Sequence, residues 1–219
     1  MNWKQVQQEL EKIEKMNAID KEYIISINKE CSTYLKSVTY GQKMFRGTNK
    51  SYNKPTKVTP RKDRKPRDTP SEIHNFLDKV FDEKFGVKAR SEGVFCTPNF
   101  GDAQAYGSVY YVFPVGSFKL IYNPKVTDLY QKLRDDHVLL WDKNADRPTM
   151  NRIMDPKERD AKIKKIISGY KISTNNAKDA LSNGGEVMLF CKEYFLVGEK
   201  FVSNYYTEIF AQCIGAPLI

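Results

Sequence analysis

The chain has 219 residues, 40% hydrophobic and 12% aromatic, with 36 Lys and Arg against 27 Asp and Glu for a net charge of +9. That length and apolar content suffice to bury one core and exclude a disordered or fibrous chain. No run approaches the roughly 18 apolar residues of a membrane-spanning helix, and the positive balance suits a polyanionic partner such as nucleic acid or a phosphorylated ligand.

The opening MNWKQVQQELEKIEKM is amphipathic and mixed in charge, unlike a signal peptide. Trp3, Val6, Leu10 and Ile13 recur at helical spacing over residues 2 to 16, and Ile19, Tyr23, Ile27, Cys31, Tyr34 and Val38 do so over 19 to 38. Two helices are therefore predicted over residues 1–40, packed on a main domain spanning 41–219. The stretch 49–68 carries eight Lys and Arg, two Asp and three Pro with almost nothing to bury, which predicts a loop or extended arm. It ends at TPSE, which reads as a capping box with Thr69 as N-cap and Glu72 three residues on. The helix that follows shows Ile73, Phe76, Leu77, Val80, Phe81 and Phe85 on one face and stops at Gly86.

From residue 93 the period shortens. GVFCT, SVYYVFPV and FKLIYNP are β-branched and aromatic, with a hairpin turn predicted at Pro114 to Ser117, and DAQAYG between the first two reads as one short helix. A further helix is predicted within 157–171 on Ile163, Ile166, Ile167 and Tyr170, after which EVMLFC, YFLVG and FVSNYYTEIFA read as strands. Helices first and strands afterwards, without regular alternation, predict an α+β fold with a mainly antiparallel or split sheet. Cys31, Cys96, Cys191 and Cys213 lie far apart with no C-x-x-C pair, which points away from a zinc site or disulfide framework and towards a reducing, cytoplasmic setting.

The stretch most suggestive of chemistry is FRGT at 45–48. An arginine at the end of a buried strand, then Gly47 to admit a ligand close to the backbone and Thr48 to offer a hydroxyl, makes a fork for phosphate or carboxamide oxygens. With GVFCT at 93–97, DAQAYG at 102–107 and NGGEVMLF at 183–190, the chain resembles the ADP-ribosyltransferase superfamily, whose members split NAD and transfer its ADP-ribose to a macromolecule. RKPRDTPSEIHNFLDKVF and YGSVYYVFPVGSFKLIYNPKVTDLY resemble phage-encoded members in particular. The likeness covers residues 43–125 and 183–200, leaving the N-terminal helices and 130–180 outside it.

The resemblance implies a split, mainly antiparallel sheet fold, NAD as co-substrate, no metal, and Glu186 as the catalytic carboxylate. It implies that Arg46, Gly47 and Thr48 hold the dinucleotide, that Thr97 orients Glu186, and that Phe95 and Tyr106 wall the nicotinamide. A carboxylate beside the ribose suits the chemistry, because cleaving the glycosidic bond develops oxocarbenium character. Glu193, in CKEYF, is a weaker rival that reads as part of a hairpin turn, and His74 beside an apolar face reads as structural. Gly184 stands where arginine-modifying members carry Glu or Gln, which turns the expected acceptor towards DNA or RNA, gripped by Arg61, Arg64, Lys65 and Arg67 of the basic arm. The expectation is thus a cytoplasmic, monomeric mono-ADP-ribosyltransferase with no membrane partner. A non-catalytic nucleic-acid-binding protein, or a degenerate transferase fold kept for protein contacts, are the alternatives.

Overall fold

The structure, a computed structural model, describes residues 18–65, 69–136, 138, 155–182 and 184–214. The helix expected over residues 2–16 lies outside them. The one expected over 19–38 is two, α1 (Ala18–Glu30) and α2 (Ser32–Ser37), which break at Cys31 and bury Ile24, Ile27, Tyr34 and Leu35.

Among the described residues, eight strands follow in two antiparallel sheets. β1 (Phe45–Thr48), β2 (Thr56–Val58), β4 (Ser108–Pro114) and β8 (Tyr194–Gly198) form one sheet in the order β1-β4-β8-β2. β3 (Val94–Cys96), β5 (Phe118–Tyr122), β6 (Lys171–Thr174) and β7 (Val187–Cys191) form the other in the order β3-β7-β5-β6. The expected α+β class with mainly antiparallel pairing is what the chain adopts.

Alternation along the second sheet explains its unbroken apolar runs, because both its faces are covered. Leu120 and Leu189 face a core shared with the first sheet, α1 and α2. Their neighbours Ile121 and Met188 face a second core built with α3 (Ser71–Phe85) and α7 (Pro156–Ser168), where Leu77, Phe81, Ile163 and Ile167 are buried. In the first core Tyr34 meets Phe113 and Phe118 edge-on at 6.0 and 5.9 Å, an arrangement aromatic quadrupoles favour.

Several expectations need correction. The turn at 114–117 closes no hairpin, since β4 and β5 belong to different sheets, and the Lys192–Glu193 link between β7 and β8 likewise crosses from one sheet to the other. The two crossings lie side by side, with the Val115 amide donating to the Glu193 carbonyl at 2.9 Å. A turn signal marks where a strand ends; it does not say which sheet the next one joins. FVSNYYTEIFA is helical, as α9 (Glu199–Asn204) and α10 (Tyr206–Ile209). Its aromatic residues pair four apart, Phe201 with Tyr205 at 5.0 Å and Tyr206 with Phe210 at 4.7 Å, so helical spacing overrides β propensity. Thr69 does not cap α3. Pro70 holds the cap position without a side-chain hydrogen bond, and Glu72 pairs with Arg159 at 2.8 Å.

The basic arm is partly tied down: β2, within it, pairs with β8, and Lys57 bonds Glu30 at 2.5 Å. Between β3 and β4 lies α5 (Phe100–Gln104), capped by the Asn99 side chain, as DAQAYG suggested. The short helices α4 (Ala89–Glu92), α6 (Leu129–Asp135) and α8 (Lys178–Ser182) complete the elements used below. Among the described residues, no helix is long and apolar enough to cross a membrane, and no group of three His, Cys, Asp or Glu could hold a metal ion. The four cysteines are free thiols.

Candidate active site

Among the described residues, the β1 edge of one sheet meets the β3 edge of the other at a single antiparallel bridge. The Phe45 amide donates to the Thr97 carbonyl at 2.7 Å and the Thr97 amide returns a bond to the Phe45 carbonyl at 2.9 Å. Past that bridge β1 and β3 form no further ladder, and the split opens into a cavity of about 510 Å³, within the range of small-molecule sites.

Arg46 spans the split, its Nη1 donating to the Phe95 carbonyl at 3.2 Å. Gly47 serves a different purpose from the one expected. A Cβ there would lie 1.9 Å from the Ala103 carbonyl oxygen and 2.8 Å from the Tyr106 Cβ, so the close approach this glycine permits is that of α5 to β1. The Thr48 hydroxyl accepts from the Lys50 amide at 3.1 Å and faces the same cavity. Gly107, at φ 118°, turns the chain from α5 into β4 and brings Tyr106 to the cavity mouth with 54% of its surface exposed.

Glu186 reaches this space from the far side. Its amide donates to the Thr127 carbonyl at 2.8 Å, fixing the residue before β7 against the turn that leads into α6. Cys96 pairs with Val187, so Thr97 and Glu186 are the next register positions on adjacent strands. The Thr97 hydroxyl nevertheless accepts from the Asn99 amide at 3.1 Å, and the partner of the carboxylate is Arg90, whose Nη1 lies 3.3 Å from Oε1. Burial pushes the Glu186 carboxyl above its ordinary range, Arg90 pulls it back, and Asp128 adds to the rise.

Arg46, Gly47, Thr48, Phe95, Thr97, Tyr106 and Glu186 therefore line one cavity, although the sequence spreads them over 140 positions. Of the arm residues expected to grip nucleic acid, Arg61 points to solvent beside Asp63 at 3.3 Å, and Lys65 is exposed at the cavity edge. Arg64 turns inward, donating to the Gly93 carbonyl at 2.9 Å with its guanidinium carbon 4.3 Å from the Phe95 ring centre. Burial, with Arg46 and Arg90 nearby, lowers its pKa to about 10. Arg67 lies outside the described residues. Glu193 does not line the cavity.

Arg90 and the group that holds it are what sequence reasoning missed. The Asp78 carboxylate accepts from the backbone amides of Arg90 at 2.7 Å and Ser91 at 3.2 Å and from the Ser91 hydroxyl, while His74 Nε2 lies 3.1 Å from that hydroxyl. His74 also lines the cavity, and burial lowers its pKa while Asp78 opposes that shift. The available signal was Asp78 itself, a carboxylate four residues after His74 on the buried stripe of Ile73, Leu77 and Phe81.

With Arg90 paired to Glu186, the guanidiniums of Arg46 and Arg64 and the exposed Lys65 are the cationic part of a lining that also holds Asp102 and Asp128, a wall that suits an anionic ligand on the arginine side, and the aromatic faces of Phe95 and Tyr106 offer surfaces for a ring. No protein-family model, curated protein or solved structure matches the chain.

Proposed function

We propose that the protein is a mono-ADP-ribosyltransferase of NAD. The observation that carries this reading is the convergence of Arg46, Thr97 and Glu186, each from a different motif, on one cavity. Two antiparallel sheets that share a core and whose β1 and β3 edges are joined, among the described residues, by one bridge also fit the split architecture of the ADP-ribosyltransferase superfamily.

In this reading the phosphates lie on the arginine side, with Arg46 and Thr48, and the nicotinamide ribose lies against Glu186. The bond between the anomeric carbon and the nicotinamide nitrogen breaks, its electron pair leaving with neutral nicotinamide. The Glu186 carboxylate stabilises the positive charge that develops on the ribose. A nucleophilic atom of the acceptor then bonds to the anomeric carbon and releases a proton. Neither a metal nor a general acid for the leaving group is required. In this reading a monomer suffices for the reaction, as one cavity of a single chain supplies every group named.

The acceptor we favour is nucleic acid. Arg61 and Lys65 are exposed on the arm that leads to the cavity edge, and Gly184 carries no side chain to orient a protein arginine. The test is incubation with NAD labelled in its adenylate phosphate, in separate reactions with DNA, RNA and mixed protein. Nicotinamide release with label transferred to DNA or RNA is expected. Transfer to protein alone would reverse the acceptor assignment, and binding of nucleic acid without any nicotinamide release would favour the non-catalytic alternative.

A further inference from the structure

We propose that Arg90, which no motif of the family resemblance contains, is the positioning residue of Glu186: its guanidinium fixes the orientation and ionisation of the carboxylate, the role expected of Thr97. The inference rests on the reading of Glu186 as the catalytic carboxylate.

The geometry separates the two candidates. Thr97 stands at the right register position, but its hydroxyl accepts from the Asn99 amide in the turn before α5 and, among the described residues, makes no hydrogen bond to Glu186. Arg90 makes the ion pair with Glu186 at 3.3 Å, and the two side chains retain only 14% and 17% of their exposure. A charge pair so removed from water is screened little, and each partner strongly biases the other.

Arg90 is itself held from both ends. Asp78 grips its backbone amide and the next residue along, while the guanidinium carbon sits 4.4 Å from the Phe95 ring centre. This leaves the guanidinium little freedom except to face Glu186. One detail argues against a role in folding alone. Arg90 Nε is buried with no hydrogen-bond partner, an arrangement that on its own costs stability.

The charged and titratable groups around Glu186 are Arg90 and Arg64, which favour its ionised form, and Asp128 and the buried Tyr170, of which Asp128 disfavours it. The Leu129 amide adds a hydrogen bond to the charged form. Arg90 is the strongest of the groups that oppose the effect of burial. Glu186 acts as the anion, so activity rises with pH as the carboxyl ionises. Removing Arg90 must move that rise to higher pH, because the folded carboxyl then holds its proton longer.

The experiment compares wild type, Arg90→Met and Arg90→Lys. Asp78 holds a main-chain amide that every variant keeps, and a melting temperature within a few degrees of wild type is the check on folding. Nicotinamide release is measured across pH, and in parallel the Glu186 carboxyl is titrated by carbon-13 NMR, its signal assigned by its loss in Glu186→Gln. We expect Arg90→Met to lower kcat about tenfold or more at pH 7 with little change in KM for NAD, to recover part of that loss as pH rises, and to raise the titration midpoint. Arg90→Lys should restore much of both. A loss confined to KM with an unmoved acid limb would make Arg90 a ligand contact instead. Should wild type release no nicotinamide, the transferase reading fails, and the titration still decides: equal Glu186 midpoints in wild type and Arg90→Met overturn the positioning role.

Discussion

Glu186→Gln is expected to reduce nicotinamide release from NAD by about two orders of magnitude or more, the scale seen when one stabiliser of developing charge is removed, while the melting temperature stays near that of wild type. The substitution keeps side-chain volume and leaves an oxygen to accept from Arg90, so the ion pair becomes a hydrogen bond from the charged guanidinium to a neutral amide oxygen and packing is undisturbed. What disappears is the negative charge. Burial already opposes that charge, so keeping it there costs folding stability, and its loss should be close to neutral for folding. Equal rates of nicotinamide release from the two proteins would remove Glu186 from the reaction. A large fall in melting temperature would instead show that its main work is structural.

Gly47→Ala should have the second large effect, on folding and on ligand binding together. A methyl group at this position would be 1.9 Å from the Ala103 carbonyl oxygen, far inside contact distance, and the obstacle is backbone rather than a side-chain tip that could swing away. Either α5 moves off β1 or the strand shifts, at a cost of about 1–3 kcal/mol, which for a domain of this size lowers the melting temperature by several degrees. Arg46 lies on one side of the glycine and Tyr106 just beyond the C-terminal end of α5, so the cavity wall is displaced and NAD affinity falls with it. Gly198→Ala is the matched control, since nothing lies within 4 Å of its added Cβ and its φ of −66° suits any residue. It should stay within about 1 kcal/mol of wild type. Wild-type stability and NAD affinity in Gly47→Ala would contradict the close packing of α5 on β1.

Much of this was legible because local signals and burial agree. The stripe Ile73, Leu77, Phe81 has one plausible period and one place to go, and β7 and β8 are apolar without interruption because both faces of their sheets are covered. The residues that line the cavity were legible for another reason: each lies in a strand or within two residues of one, and antiparallel pairing brings these positions together.

The rest depended on partners distant in sequence. Whether β4 continues into β5 within one sheet or crosses to another is decided by Glu193, nearly 80 positions later, receiving the Val115 amide. Tyr205 stands at the junction of α9 and α10, where its hydroxyl donates to Asp20 at 2.7 Å. Arg64 read as one of four arm cations expected to grip nucleic acid, and the Gly93 carbonyl and the Phe95 ring hold it turned inward. Arg90 had no local mark at all. Its importance comes from Asp78 on one side and Glu186 on the other, 12 and 96 residues away.

The most direct measurement is a structure determined with NAD bound to the Glu186→Gln protein, in which slowed cleavage preserves the dinucleotide. Phosphate oxygens should lie within about 3 Å of Arg46 nitrogens, with the nicotinamide ribose against the side chain of residue 186 and the ring beside Phe95 or Tyr106. NAD bound elsewhere, or lying in this cavity with its ribose turned away from residue 186, would contradict the proposed chemistry.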